Sequence, residues 1–427
     1  MSVANKVLIA LILGIIVGLI LNISALVNNA WVDQYFINGA FHVVGKLFVN
    51  ALKMLVVPLV LFSLIPGIIG IGDISLLGRI GTKAVALYLA TTAIAITTAI
   101  TFAVSFGIGE GMNIESPTAF AGKQADAFSD VLIGIIPTNP IAAMANGDML
   151  AIIFFAIFFG IAMLSIAKES KQLVALIEQI NSVIMRMVTM VMYFAPIAVF
   201  CLVTKAIAEL GIELLGQLAG YVLVLLAALI FHVLVTQMIF LKAFTGLNIR
   251  LFLEKIRTAQ LFAFSTSSSG ATIPITLQTV QERLGVDRSV SSFCVPFGAT
   301  INMDGTAMMQ GVATVFIANI YGIDLGLSEY LLVIVTAVLA SIGTAAVPSV
   351  GLVMLTLVFS QVGLPVEGIA IILGVDRLLD MVRTAVNVSG DAVVTTIVAK
   401  SENCIDLDIF NDPAAGIIDD PQIAATS

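Results

Sequence analysis

Long apolar runs separated by short polar connections dominate the chain. They mark spans near 7–23, 40–66 and 83–108. A fourth region, 131–167, is broken by Pro137, Asn139 and Pro140, a fifth runs near 175–204 and a sixth near 216–241. These lengths approach or exceed the roughly 20 residues an α-helix needs to cross a bilayer. The first run follows a lone Lys6 and resembles a signal peptide superficially. No small-x-small cleavage site follows, and another long apolar segment does, so it reads as the first retained span. Beyond 241 the pattern changes. Residues 246–285 and 327–362 are apolar but interrupted at their middles by small, polar and Pro residues, whereas 289–320 and 366–399 are long enough to span.

The connecting charges set an orientation. Arg79 and Lys83, Lys168 and Lys171, then Lys242, Arg250, Lys255 and Arg257, and Arg283 with Arg288 fall in alternate connections. The 1–2 loop has no Lys or Arg, and the 3–4 loop has Glu110, Glu115, Asp126 and Asp130 against Lys123. Basic connections face the cytoplasm, so both termini are expected there. The alternation survives only if 246–285 and 327–362 each enter and leave on one side, as opposed re-entrant hairpins. Non-helical backbone at membrane depth needs protein or a water-filled cavity around it. Two opposed hairpins point to inverted repeats and a midplane binding site. The expected tips are 265–274 and 341–351, where small residues allow close approach, hydroxyls offer ligands and prolines stop the helices. Either tip alone reads equally well as a small-residue packing face. The fold class is thus an all-α polytopic membrane protein with eight transmembrane helices and two re-entrant helical hairpins.

Composition agrees with the pattern. Of 427 residues, 59% are hydrophobic and 11% charged, against roughly 25% charged in a soluble domain. With 19 bases against 27 acids, the basic footprint of a nucleic-acid binder is missing. Six acids after Lys400, with no base among them, carry most of the net −8. That tail reads as a solvated, poorly ordered end. Cys201, Cys294 and Cys404 are scattered, without metal or disulfide spacing. His42 and His232 are isolated, and His232 reads as a packed helix residue.

The last span carries the chemistry. Residues three and four apart share a helix face, which puts Asp376, Asp380, Arg383, Thr384, Asn387 and Asp391 on one stripe. Ionisable groups inside a span are costly unless paired or facing a cavity. Counting Asp304, four carboxylates against Arg383 leave about −3. Arg377 is expected on another face. The deficit calls for bound cations or protonated carboxylates. Pro296, Gly298 and Gly305 flank Asn302-Met303-Asp304, so the helix there is expected to be interrupted. Unwound backbone offers carbonyl oxygens to an alkali ion, and oxygen ligands without thiols or imidazoles suit Na⁺. Tyr88, Thr91 and Thr92 share a face and either pack or add oxygens. A channel lacks its continuous polar path, and a protease lacks a base beside Ser267 to Ser269.

Together, 265–274, Asn302 to Thr306, 341–351 and 376–391 resemble the dicarboxylate/amino acid:cation symporter family, prokaryotic relatives of excitatory amino acid transporters. The resemblance covers nearly all of 1–400. It implies a homotrimeric elevator in the cell membrane, with the second hairpin as outer gate. Residues 1–82 would be scaffold spans one and two, 83–108 span three of the transport domain, 109–206 scaffold spans four and five, and 207–245 span six of the transport domain. Residues 246–400 would be the transport core and 401–427 an acidic cytoplasmic tail. Asp380 is expected to hold the substrate ammonium and Arg383, supported by Thr384, its side-chain carboxylate. Asn387, the Thr306 hydroxyl and the backbone at Ser269, Val347 and Gly351 would take the α-carboxylate. One Na⁺ site would use Gly298, Asn302, Asn387 and Asp391. A second would use Thr300, Met303, Ser341, Ile342 and Thr344, and a third Tyr88, Thr91, Thr92, Asn302 and Asp304. An auxiliary arginine common in the family is absent, its two places being Ser267 and Met381. C4-dicarboxylate carriers lack the Asp380 equivalent, neutral amino acid carriers the Arg383 equivalent, and proton-coupled bacterial relatives tend to have Asn at the place of Asp391. The resemblance therefore implies Na⁺-driven uptake of L-aspartate or L-glutamate, with a proton-coupled symporter as the alternative.

Overall fold

The computed structural model describes residues 3–24, 26–69, 77–111, 133–166, 169–341 and 350–416. The described residues are helical, apart from turns and one isolated antiparallel bridge between Val286 and Ile405. Among the described residues, three helices are long and apolar enough to cross a membrane: Arg79–Ser105, Lys171–Val191 and Leu214–Thr245. Shorter apolar helices make up much of the remainder.

The first half is built from α1 (Val3–Ile23), α2 (His42–Ile69), α3 (Thr82–Ser105), α4 (Met149–Ser165) and α5 (Lys171–Tyr193). Helix α6 (Ala195–Phe231) runs on through a π-helical turn, His232–Gln237, into α7 (Met238–Thr245). The expected span 175–204 is divided at Phe194, just before Pro196, and α6 bends at Gly211, where φ is 69°. Helix α1 packs along α6. A Cβ on Gly18 would come within 2.7 Å of the Ile207 side chain and 2.9 Å of the Thr204 carbonyl, so glycine sets that close approach. The opposite face of α1 leaves Ile9, Ile12, Leu13, Ile16 and Ile20 about half exposed. An outward apolar stripe of this kind suits lipid rather than water.

The second half opens with α8 (Ile249–Thr266) and α9 (Ser269–Gln278). The serine run makes the break between them. Ser267, in the left-handed region at φ 51°, ends α8, and the Ser268 hydroxyl accepts from the Ala271 N–H to start α9. Pro274 was expected to stop a helix and instead lies inside α9. Helices α10 (Arg288–Ile301) and α11 (Asp304–Ile320) are separated at Asn302 and Met303, the interruption expected from the flanking glycines. Helices α12 (Leu327–Ser341) and α13 (Val350–Gln361) pack on one another, and their connection, with most of the 341–351 tip, lies outside the described residues. The chain ends in α14 (Ile369–Ser401) and the short α15 (Leu407–Asn411).

The C-terminal segment corrects an expectation. As far as residue 412 it is docked and ordered rather than loose, although Asp406, Asp408 and Asp412 stay exposed as expected. Asp406 N–H donates to the Gly285 carbonyl at 2.7 Å, and Asp287 N–H to the Cys404 carbonyl at 3.0 Å. Buried Lys255 donates to the Arg283 and Ile409 carbonyls at 2.6 and 2.8 Å and lies over the ring of buried Phe410. Residues 417–427, including Asp419 and Asp420, lie outside the described residues.

Candidate substrate and cation site

Helix α14 positions the polar stripe. Asp376, Asp380, Arg383, Thr384, Asn387 and Asp391 are all buried. Arg383 Nη2 donates to Asp380 Oδ1 at 2.9 Å. Its Nη1 lies 2.8 Å from Asp376 Oδ1, an ion pair without hydrogen-bond alignment. Its Nε and Nη1 therefore lack an aligned acceptor among the described residues. Arg377 corrects the charge count. Its guanidinium reaches forward across one turn to Asp380 Oδ2 at 3.4 Å, so four carboxylates face two guanidiniums and the deficit is about two rather than three. The Thr384 hydroxyl donates to the Asp380 carbonyl one turn earlier on the same helix at 2.7 Å, rather than to a group that would support Arg383. A Cβ on Gly351 would meet the Thr306 and Met309 side chains at 3.1 Å, with Arg383 Nη1 at 3.9 Å. That places α13 and α11 beside the guanidinium. Buried Ser269 opens α9. Val347 lies outside the described residues.

The break between α10 and α11 meets α14 one turn further on. Asn387 Oδ1 accepts from the Gly305 N–H at 2.8 Å, and Asn387 Nδ2 points at Met303 Sδ at 3.3 Å. Asn302 Nδ2 donates to Asp391 Oδ1 at 2.9 Å and to the Asn387 carbonyl at 3.3 Å. That leaves Asn302 Oδ1 buried without a partner among the described residues. A buried carbonyl oxygen of this kind costs about 1–3 kcal/mol unless something occupies it. Gly298 packs against Asp391 and Tyr88: a Cβ there would fall 2.5 Å from Asp391 Oδ1 and 2.6 Å from the Tyr88 hydroxyl.

Helix α3 closes the far side. Thr92 donates to Asp304 Oδ1 at 2.6 Å, with the Thr91 hydroxyl 3.5 Å from the same oxygen. The Tyr88 hydroxyl bonds the Cys294 carbonyl. Gly298, Asn302, Asn387 and Asp391 are thus brought together, as are Thr91, Thr92 and Asp304, with Tyr88 beside Gly298. The Thr300 hydroxyl turns back to the Phe297 carbonyl and that of Ser341 to the Val338 carbonyl. Ile342 and Thr344 lie outside the described residues. One site residue escaped the sequence reading. Buried His232 places Nε2 3.0 Å from Asp304 Oδ2. Its isolation in an apolar run hid a partner 72 residues away.

These donors and acceptors suit a small ligand that carries both signs of charge, and oxygen-binding cations. The family description of sodium:dicarboxylate symporters matches residues 3–401. The chain belongs to the sodium:dicarboxylate symporter family. Relatives are alike along nearly their whole lengths. The proton/glutamate-aspartate symporter of Escherichia coli (strain K12) is 35% identical, over 95% of this chain and 94% of the relative. The proton/sodium-glutamate symport protein of Geobacillus stearothermophilus is 32% identical, over 94% of each. An excitatory amino acid transporter of Caenorhabditis elegans is 35% identical, over 87% and 83%. Sodium:dicarboxylate symporters are integral membrane transporters, not enzymes, and the apolar exterior of this chain fits that setting.

Proposed function

We propose that this chain takes up acidic amino acids, L-aspartate or L-glutamate, across the plasma membrane on a Na⁺ gradient. The observation that carries the reading is Arg383, fully buried between two carboxylates, whose Nε, and whose Nη1 apart from its ion pair with Asp376, have no aligned acceptor among the described residues. A ligand carboxylate satisfies those donors, and as it draws Arg383 off Asp380, that carboxylate becomes available to the ligand ammonium. Asn387, Thr306 and the backbone at Ser269, Val347 and Gly351 take the α-carboxylate. The Na⁺ reading rests on the carboxylate excess and on the Asn302 carbonyl oxygen, which has no partner among the described residues while Nδ2 of the same amide bonds Asp391. In this reading Gly298, Asn302, Asn387 and Asp391 take one ion, and Tyr88, Thr91, Thr92, Asn302 and Asp304 another. Thr300, Met303, Ser341, Ile342 and Thr344 take a third.

The finer architecture belongs to the same proposal. Eight spans and two opposed re-entrant hairpins form a homotrimer with cytoplasmic termini. Residues 1–82 and 109–206 are a fixed scaffold. Residues 83–108 and 207–400 are a transport domain that slides as an elevator, with 327–362 as outer gate. The proton-coupled alternative is favoured by the name of the Escherichia coli relative, whereas that of the Geobacillus stearothermophilus relative names both ions. Uptake into liposomes separates the two. Radiolabelled aspartate should accumulate when NaCl is outside and choline chloride inside at equal pH. Accumulation driven by a pH gradient in the complete absence of Na⁺ would sink the sodium reading and establish the other.

A further inference from the structure

We propose that His232 is a positioning residue for the cation site, holding the Asp304 carboxylate in the orientation that receives Na⁺. The proposal deepens, and rests on, the Na⁺-symport reading. His232 opens the π-helical turn between α6 and α7, whereas Asp304 begins α11. Both side chains are fully buried, and Nε2 stands 3.0 Å from Oδ2. A carboxylate only accepts, so the ring donates through Nε2. Its Nδ1 has no partner among the described residues, and Asp304 is thus the polar group that anchors the ring. On the other side, Thr92 donates to Oδ1 at 2.6 Å. The carboxylate is therefore gripped at each oxygen by a different element, which fixes both its position and the plane of its lone pairs. Oδ2 keeps a further lone pair for an ion, and the second lone pair of Oδ1 meets only the Thr91 hydroxyl at 3.5 Å. Holding ligands in place beforehand lowers the cost of assembling an ion site, as partners behind metal ligands do elsewhere. The chemistry demanded of His232 is one N–H aimed from the Nε2 position. A glutamine amide reaches about as far, an asparagine amide does not, and leucine has no donor.

The test compares the full-length wild type with His232→Leu, His232→Asn and His232→Gln, purified in detergent. Aspartate binding is measured by calorimetry over a series of NaCl concentrations, with choline chloride keeping ionic strength constant. Loss of a hydrogen bond to a charged group corresponds to roughly tenfold or more in affinity. The Na⁺ concentration for half-maximal aspartate binding should rise by about that factor in the Leu and Asn variants and stay within about threefold in the Gln variant. Aspartate affinity at saturating Na⁺ should be unchanged in all three. If the Leu variant does not fold, the Asn and Gln variants decide alone. Equal Na⁺ dependence in Asn and Gln variants, whether both match the wild type or both are impaired, overturns the proposal. So does a loss of aspartate affinity that persists at saturating Na⁺, the mark of a packing role. A wild type whose binding ignores Na⁺ overturns both this proposal and the symport reading. A Na⁺-dependent wild type with unaffected variants overturns this one alone.

Discussion

Arg383 lies between Asp380, one turn before it, and Asp376, two turns before it, and Arg377 shares the Asp380 carboxylate from the other side. The arrangement makes one residue answer for the second carboxylate of an acidic substrate. In Arg383→Cys, the Asp380 carboxylate remains, so the ammonium half of the site persists. Recognition of the acidic side chain should be lost, lowering aspartate affinity by at least about 2 kcal/mol, or roughly 30-fold. Serine or another neutral amino acid should bind no worse than to the wild type. Binding titrations with both ligands check this, and unchanged aspartate affinity would remove Arg383 from the assigned role. The stripe itself was legible because spacings of three and four put residues on one helix face. Arg377 was misplaced against the same rule, since it stands three residues before Asp380 and so shares that residue's side of the helix. The wheel locates the Cα, but a guanidinium on a three-carbon stem reaches across one turn to Asp380 Oδ2. His232 was illegible for a different reason. Nothing nearby in sequence signals a partner that only tertiary packing supplies.

At the level of elements, local chemistry was readable where a residue type forces the backbone. Ser267 and Ser268 end one helix and begin the next, and Asn302 with Met303 separates α10 from α11. The docked C-terminal segment was not readable, since its acids suggested water. Few apolar groups hold it, chiefly Phe410, and the rest is backbone hydrogen bonding to the α9–α10 connection. Glu402 ties the end of α14 to the start of α3 through Lys83 and Arg79. The Lys83 hydrogen bond, with Arg79 behind it, holds the Glu402 carboxyl below its usual range against a smaller effect of burial. A carboxyl lowered in the folded state adds stability above its unfolded value, and that contribution is lost as pH falls through the folded value. Glu402→Gln should therefore melt below the wild type at pH 7. The gap should close as pH drops below about 4.3, the ordinary value for Glu. Thermal unfolding from pH 3 to pH 8 measures this, and a gap that stays constant across the range would show that the ion pairs contribute nothing.

For the whole molecule, the decisive property is where charge is placed. Apolar side chains cover much of the exterior, while Asp304, Asp376, Asp380 and Asp391 are buried with Arg383 and the partly buried Arg377. The apolar exterior was legible from run length alone. The break at Gly211 in α6 falls in the polar stretch between the expected fifth and sixth spans, whereas the division of the fifth span at Phe194 was not legible, because the run around it is apolar throughout. A buried deficit of about two negative charges opposes the compact arrangement, and cations that enter it relieve that opposition. Folding and Na⁺ binding are then linked. A ligand that binds only the folded state adds about 2.7 kcal/mol at one hundred times its dissociation constant. Purified protein should melt at progressively higher temperature as NaCl replaces choline chloride at constant ionic strength. Aspartate should add a further rise that is present in Na⁺ and absent in choline. Generic salt screening acts alike with either cation, so equal melting curves in NaCl and choline chloride, with and without aspartate, would remove sodium from the site.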